Sequence, residues 1–186
     1  MEDFLVTDAG QHAALAKQFL EGALTLDEAR PRKGKILFVP TLALAGHGLE
    51  LLLKASILLN GGDPPTKGRK GHGVADLWSQ ELCEPVRDHV YANANLVVQA
   101  DRENPLYIDV PGENEDILPL IEEYVVALGR LHGEDGYPLR YPSAPGKDAP
   151  RTPFLVKSLW RTADDLVKRP TDFLLDRFRG KVKFDN

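Results

Sequence analysis

The most apolar stretch of the chain runs from Pro40 to Asn60, reading Pro-Thr-Leu-Ala-Leu-Ala-Gly-His-Gly-Leu-Glu-Leu-Leu-Leu-Lys-Ala-Ser-Ile-Leu-Leu-Asn. Leu, Ile and Ala occupy nearly every side of a helix drawn through it. The polar exceptions with ionisable side chains are His47, Glu50 and Lys54. At about 100° per residue these three fall within about 60° of one another, so they form one narrow stripe. A helix that is apolar all round belongs in a core or a membrane. The stripe and two glycines interrupt the run before it reaches the ~20 apolar residues a bilayer requires, which argues for a core helix. Thr41 or the residues just before it can cap its start. Asn60-Gly61-Gly62 supplies the stop, since Asn and Gly tolerate the left-handed cap conformation.

Helical spacing recurs on both sides of this segment. Asp8 with Gln11 has the form of a capping box, and Leu15, Phe19, Ala23 and Leu26 follow at helical intervals, predicting a first helix from about Asp8 to about Ala29. Arg30-Pro31-Arg32-Lys33-Gly34-Lys35 then reads as a basic turn. Gly61 to Gly73 is a Gly-, Pro- and Lys/Arg-rich loop. Val74, Leu77 and Trp78 mark a short helix. Pro85 suits the first turn of another, whose inner face is Val86, Val90, Ala94 and Val97, ending near Asp101. Arg102 to Gly112 is a connection in which Leu106-Tyr107-Ile108 could pair briefly as a strand. Asp116 can cap the next helix, with Pro119 in its first turn and Ile117, Ile121, Tyr124, Val125 and Leu128 facing inward. Gly133 to Ala149 is a long Pro/Gly-rich loop. Thr152-Pro153 is a strong helix start, continued by Leu155, Leu159, Ala163 and Leu166 and broken by Pro170. Phe173, Leu174 and Phe178 form a last short helix or clamp, and Arg177, Arg179, Lys181 and Lys183 a basic tail from about residue 170. With no internal repeat and no sustained β-alternation, the pattern predicts an all-α bundle of five or six helices in a single domain spanning residues 1–186.

Composition narrows the class. The 186 residues suffice for a sizeable core, and 42% hydrophobic with 27% charged residues is ordinary for a soluble globular chain. A net charge of −5 argues against coating duplex DNA by bulk electrostatics. Cys83 is the only cysteine, so neither an intramolecular disulfide nor a thiolate metal cluster is available. The start, Met1-Glu2-Asp3-Phe4, lacks a basic segment followed by an apolar run, so a cytoplasmic location is expected.

Candidate chemistry is sparse. Gly61 to Gly73 lacks the Gly-Lys-Ser/Thr of a P-loop and follows a helix rather than a strand. Arg69 and Lys70, with Lys67, could touch phosphates there or simply be solvated. The five histidines form neither His-x3-His nor His-Glu-x-x-His, which argues against a zinc hydrolase, and neither a metal nor a cofactor is expected. No Gly-x-Ser-x-Gly elbow is present. Glu122-Glu123 and Asp164-Asp165 are adjacent in sequence, diverge on a helix and are expected in solvent. Glu50 and Lys54 stand in the favourable i, i+4 order. If buried, each requires the other, because an uncompensated buried charge is costly; otherwise the stripe lines a cleft or a dimer seam. His72, between Gly71 and Gly73 at the mouth of a helix, could hold the loop or serve as a general base. Arg140 and Tyr141, before Pro142, could bind phosphate and stack a base, or pin the long loop to the core.

Taken in order, these features resemble the HEPN superfamily (higher eukaryotes and prokaryotes nucleotide-binding domains). The features are a long first helix, Leu49-Glu50-Leu51-Leu52-Leu53-Lys54, a loop, Gly71-His72 followed by Val74 and Leu77, and Arg140-Tyr141-Pro142 before the last long helix. The resemblance spans about Asp8 to about Val167. It implies an all-α bundle, often a homodimer, in a family that includes metal-independent ribonucleases of toxin–antitoxin and phage-defence systems and also non-catalytic members. Ribonuclease members carry Arg-x4–6-His on a late helix. Here Arg69 and His72, Arg87 and His89, and Arg130 and His132 are each too closely spaced, no histidine follows Thr152, and Gly73 stands where an acid or amide is usual.

The expected function is therefore a non-catalytic HEPN-like module that associates with RNA, a nucleotide or a partner protein, with no membrane involved. His47, Glu50, Lys54, Arg69, Lys70 and Tyr141 are its candidate binding residues. One alternative is a divergent metal-independent endoribonuclease with His72 as general base and Arg140 or Lys54 stabilising phosphorane charge. Another is a helical scaffold or dimerisation protein whose stripe is purely structural.

Overall fold

Thr7 starts the first helix. Its Oγ1 accepts a hydrogen bond from the Gly10 N–H at 3.0 Å and donates to the Phe4 carbonyl at 2.7 Å, satisfying an amide that a helix start leaves unpaired. Helix α1 then runs Asp8–Lys33. The cap is thus Thr7 rather than Asp8, and the helix continues through the Arg30-Pro31-Arg32-Lys33 stretch that the sequence pattern assigns to a turn. Pro31 has no N–H to give, so α1 forgoes one backbone bond in its last turn and still runs on to Lys33. The computed structural model describes residues 2–65, 73–105, 111–112, 116–133, 139, 150, 152–180 and 184–185.

The inner face of α1 is Ala9, Ala13, Ala16, Leu20, Ala23 and Leu24, while Leu15 is 42% exposed. Of the predicted face Leu15, Phe19, Ala23 and Leu26, Ala23 is buried, Phe19 and Leu26 are half-buried and Leu15 is outside, so the inner face is rotated away from Leu15. Alanines carry the contact because α1 lies close to the next helix: a Cβ added at Gly48 would stand 2.6 Å from the Leu20 Cγ.

That next helix, α2, runs Phe38–Leu59 after a 3-10 turn over Gly34–Leu37. Thr41 lies inside α2, its hydroxyl donating to the Leu37 carbonyl at 2.7 Å, so it does not cap the start. The stop falls where the sequence places it. The Gly61 N–H reaches the Leu58 carbonyl at 3.0 Å and the Gly62 N–H the Ile57 carbonyl at 2.8 Å, closing the last turn. By length and composition α2 could cross a membrane, yet 78% of its apolar window is buried inside the fold. It touches all the other α-helices and is the core helix around which they pack.

The remaining helices are α3 (Val74–Trp78), α4 (Glu84–Glu103), α5 (Ile117–Gly133) and α6 (Thr152–Lys168), giving six α-helices among the described residues. Their inner faces follow the predicted spacing. Val86, Val90, Ala94 and Val97 are buried on α4, Ile121, Tyr124, Val125 and Leu128 on α5, and Leu155, Leu159, Ala163 and Leu166 on α6. Asp116 caps α5, its Oδ1 accepting from the Leu118 N–H at 3.1 Å. Helix α1 packs on α2 and α6, α4 on α6, and α3 on α5.

The paired carboxylates are not simply solvated. Glu123 is exposed, but Glu122 accepts from the Trp78 indole at 2.9 Å and from the Tyr91 hydroxyl, tying α5 to α3 and α4. Asp164 binds Lys17 of α1 at 2.8 Å, whereas Asp165 accepts from Asn93 of α4 at 2.9 Å. Neighbours on a helix diverge by about 100°; α6 lies between two other helices, so each aspartate serves one of them.

After Pro170 a 3-10 turn over Pro170–Phe173 leads the chain back across α2. The Asn60 side chain clamps it. Its Nδ2 donates to the Ser56 and Phe173 carbonyls, each at 3.0 Å, and its Oδ1 accepts from the Leu175 N–H at 2.8 Å. A two-residue parallel pairing, unsignalled by the sequence, joins β1 (Glu2–Asp3) to β2 (Phe184–Asp185). Leu106-Tyr107-Ile108 and nearly all of the loop from Gly133 to Ala149 lie outside the described residues.

Candidate functional site

The polar stripe of α2 meets α5 in the core. Glu50, Lys54 and His132 are only 2%, 9% and 3% exposed. Lys54 Nζ donates to Glu50 Oε1 at 2.7 Å. His132 Nε2 lies 3.0 Å from Glu50 Oε2, joining residues 82 apart in sequence. One carboxylate thus has a cation on one oxygen and an imidazole on the other. Removing a carboxylate or an ammonium from water costs several kcal/mol, recovered only where both ends are closely partnered. Here the partners are fixed by two helices, so the stripe does what a buried charge demands.

His47 stands on the same face of α2, one turn before Glu50. It is half-buried, its ring edge-on to Phe19 at a centroid distance of 4.3 Å and tilted toward His132 at 6.0 Å. Gly46 makes room for the second histidine. A Cβ at Gly46 would stand 2.8 Å from His132 Cγ and 2.9 Å from its Nδ1, closer than real Cβ contacts come. The glycines bracketing His47 therefore serve opposite sides: Gly46 seats His132 of α5, and Gly48 admits Leu20 of α1. His47, Glu50 and His132 each turn a ligand-type atom inward, and those atoms lie within 4.8 Å of one another.

Of the residues singled out from sequence, the fold brings His47, Glu50 and Lys54 together. Glu50 and Lys54 are enclosed within a single chain and line no open cleft among the described residues. Arg69, Lys70, His72, Arg140 and Tyr141 lie outside the described residues. His132 is the member that sequence reasoning missed. A signal for it existed: it lies four residues after Leu128 and seven after Val125, on the inward face of α5, and an ionisable group there needs a buried partner.

Elsewhere the chemistry is quieter. Burial pushes the Cys83 thiol up to about 12, against a smaller opposing pull from Arg87, so it is no nucleophile at neutral pH. His89 stacks on Phe173 at 3.9 Å, and its pKa falls below 6.5, chiefly through burial and against an opposing pull from Asp165. It borders a cleft of about 510 Å³ between the first turn of α4 and residues 172–179, lined by Glu81, Glu84, Asp88, Asp172 and Asp176. The arginines there are engaged, Arg177 with Glu81 at 2.7 Å and Arg179 with Asp176 at 3.2 Å. This part of the predicted basic tail is thus balanced by acids and presents no cationic track.

Comparison with known proteins returned no matching family model, no matching curated protein and no matching solved structure.

Proposed function

We propose that this chain is a non-catalytic HEPN-like helical module, cytoplasmic and homodimeric, that associates with RNA, a nucleotide or a partner protein, in a prokaryotic toxin–antitoxin or defence setting. The observation that supports the non-catalytic reading is the enclosure of Glu50. Its two oxygens are taken by Lys54 and His132 in the core, which keeps all three groups from a phosphodiester that would have to reach them from solvent. The absence of an Arg-x4–6-His pair agrees with this. The HEPN assignment itself rests on the order of the sequence motifs and on the all-α bundle.

Association is assigned to the basic and aromatic residues singled out from the sequence: Arg69, Lys70, Arg140 and Tyr141. Cationic side chains beside an aromatic suit single-stranded RNA or a nucleotide, and such binding weakens steeply with salt. Incubating the purified protein with total RNA tests both parts. The expected result is retarded but intact RNA, with retardation lost as salt rises and weakened by Arg140→Ala. Cleavage that His72→Ala abolishes would instead establish the ribonuclease alternative and overturn this reading.

A further inference from the structure

We propose that His47, Glu50 and His132 form a binding site for one divalent transition-metal ion of the Zn²⁺ or Co²⁺ type, clamping α2 to α5. This goes beyond the association proposed above and does not depend on it.

The donor set is two imidazoles and one carboxylate. Imidazole nitrogen suits Zn²⁺, Co²⁺, Ni²⁺ and Fe²⁺, whereas Ca²⁺ and Mg²⁺ require oxygen-rich shells. Three protein ligands with further positions left to water is a familiar arrangement for zinc. His47 and Glu50 are three apart on α2 and therefore share a face; His132 approaches from α5. In a tetrahedral site with bonds near 2.0–2.1 Å, ligand atoms sit about 3.3 Å apart. Glu50 Oε2 and His132 Nε2 already stand 3.0 Å apart, so the closing needed from the 4.8 Å limit falls to His47. That ring is the half-buried one, set edge-on against Phe19 at 4.3 Å.

The surroundings act as an outer shell. Metal ligands are ordinarily held in place by secondary hydrogen bonds. Lys54 supplies one, holding Glu50 Oε1 at 2.7 Å while Oε2 meets His132. Gly46 fixes the position of His132 by leaving no spare space beside it. Glu50 Oε2 and His132 Nε2 now share a hydrogen bond; a metal ion on both atoms requires Nε2 to give up any proton it carries, to solvent from a charged ring or to Nδ1 in a neutral one. The Lys54 ammonium also repels the ion, so the site is weaker than the same three ligands would be without it.

The test is titration of the metal-free full-length protein with CoCl₂, followed by visible absorbance and by metal analysis after dialysis. One Co²⁺ per chain, with absorption characteristic of nitrogen and oxygen ligands, is expected. ZnCl₂ should displace it and raise the unfolding temperature, because a ligand that binds only the folded state stabilises it. His47→Gln is the decisive variant, since it leaves the Glu50–Lys54–His132 core intact and is expected to fold. It should weaken binding about tenfold or more, while His12→Ala on α1 changes nothing. Failure of the wild-type chain to take up Co²⁺ stoichiometrically, or unchanged binding in His47→Gln, would overturn the proposal. RNA retardation, measured separately with metal chelated, reports on the association reading alone.

Discussion

Replacing Lys54 by Met tests whether the buried charges are obligatory partners. The methionine can occupy the space of the lysine stem but leaves Glu50 Oε1 without its ammonium at 2.7 Å. Glu50 is only 2% exposed, so water cannot easily take that place. Breaking one side of a buried ion pair costs about 3–5 kcal/mol. His132 still holds Oε2 at 3.0 Å, which puts the expectation at the lower end, about 3 kcal/mol. For a chain of this size each kcal/mol moves the unfolding temperature by about 2–4 °C, so a fall of about 6–12 °C is expected. Urea denaturation followed by circular dichroism measures the loss. A second variant sharpens the reasoning. In Glu50→Gln/Lys54→Met both charges are gone and the amide can still bond His132. It should recover at least about 1 kcal/mol relative to the single change, because replacing a whole buried pair is often near neutral. A loss below about 1 kcal/mol in Lys54→Met, the cost of a surface pair, would refute the argument. So would a double variant whose loss is the plain sum of the singles.

Two further outcomes follow. Gly46→Ala should destabilise by about 1–3 kcal/mol through overpacking against His132; since Ala ordinarily stabilises a helix interior by about 1 kcal/mol, a rise in stability would show that the contact is absent. The pKa of His89 lies below 6.5 in the fold, so the unfolded chain takes up the proton first as the pH falls, and stability present above 6.5 is lost on descending through it toward the folded pKa. His89→Phe, which can keep the stack on Phe173, should flatten that acid-side decline in stability measured by urea denaturation across the pH range, and an unchanged slope would refute the assignment.

The sequence made the helices legible where large apolar residues mark the inner face. On α4, α5 and α6 the predicted inner positions are buried, although Leu96 and Leu118 stand exposed and Asn93, His132, Ser158 and Thr162 are buried beside them. It misled on α1, where alanine is the contact residue and a tightly packed neighbour, not hydrophobic weight, decides the phase. Ala13 and Ala16 are fully buried while Leu15 is outside. The Glu50–Lys54 pair was readable because both members lie on one helix at a fixed spacing. The third member was not, because His132 reaches Glu50 through the arrangement of α2 against α5, which no local spacing encodes. Glu122, Asp164 and Asp165 were misjudged for the same reason: adjacent carboxylates diverge, and which one meets a partner depends on what else packs around that helix. The basic tail shows the limit of counting charges, since Arg177 and Arg179 are answered by acids in space.

Asn60 carries a consequence for the order in which the molecule can be completed. Its amide joins the end of α2 to Phe173 and Leu175, which lie 113 and 115 residues further along. During synthesis the central helix emerges long before those residues exist. Until they arrive, the Asn60 amide can only be hydrated where it does not bond its own helix, and the apolar ground that Phe173 covers stays open. Docking of this late segment onto an early one closes a long stretch of chain, at an entropic cost that grows only slowly with its length. A nascent or truncated chain lacking Phe173 would expose an apolar seat beside the most hydrophobic helix of the protein, and it is in that interval that aggregation or a chaperone would compete with the native fold.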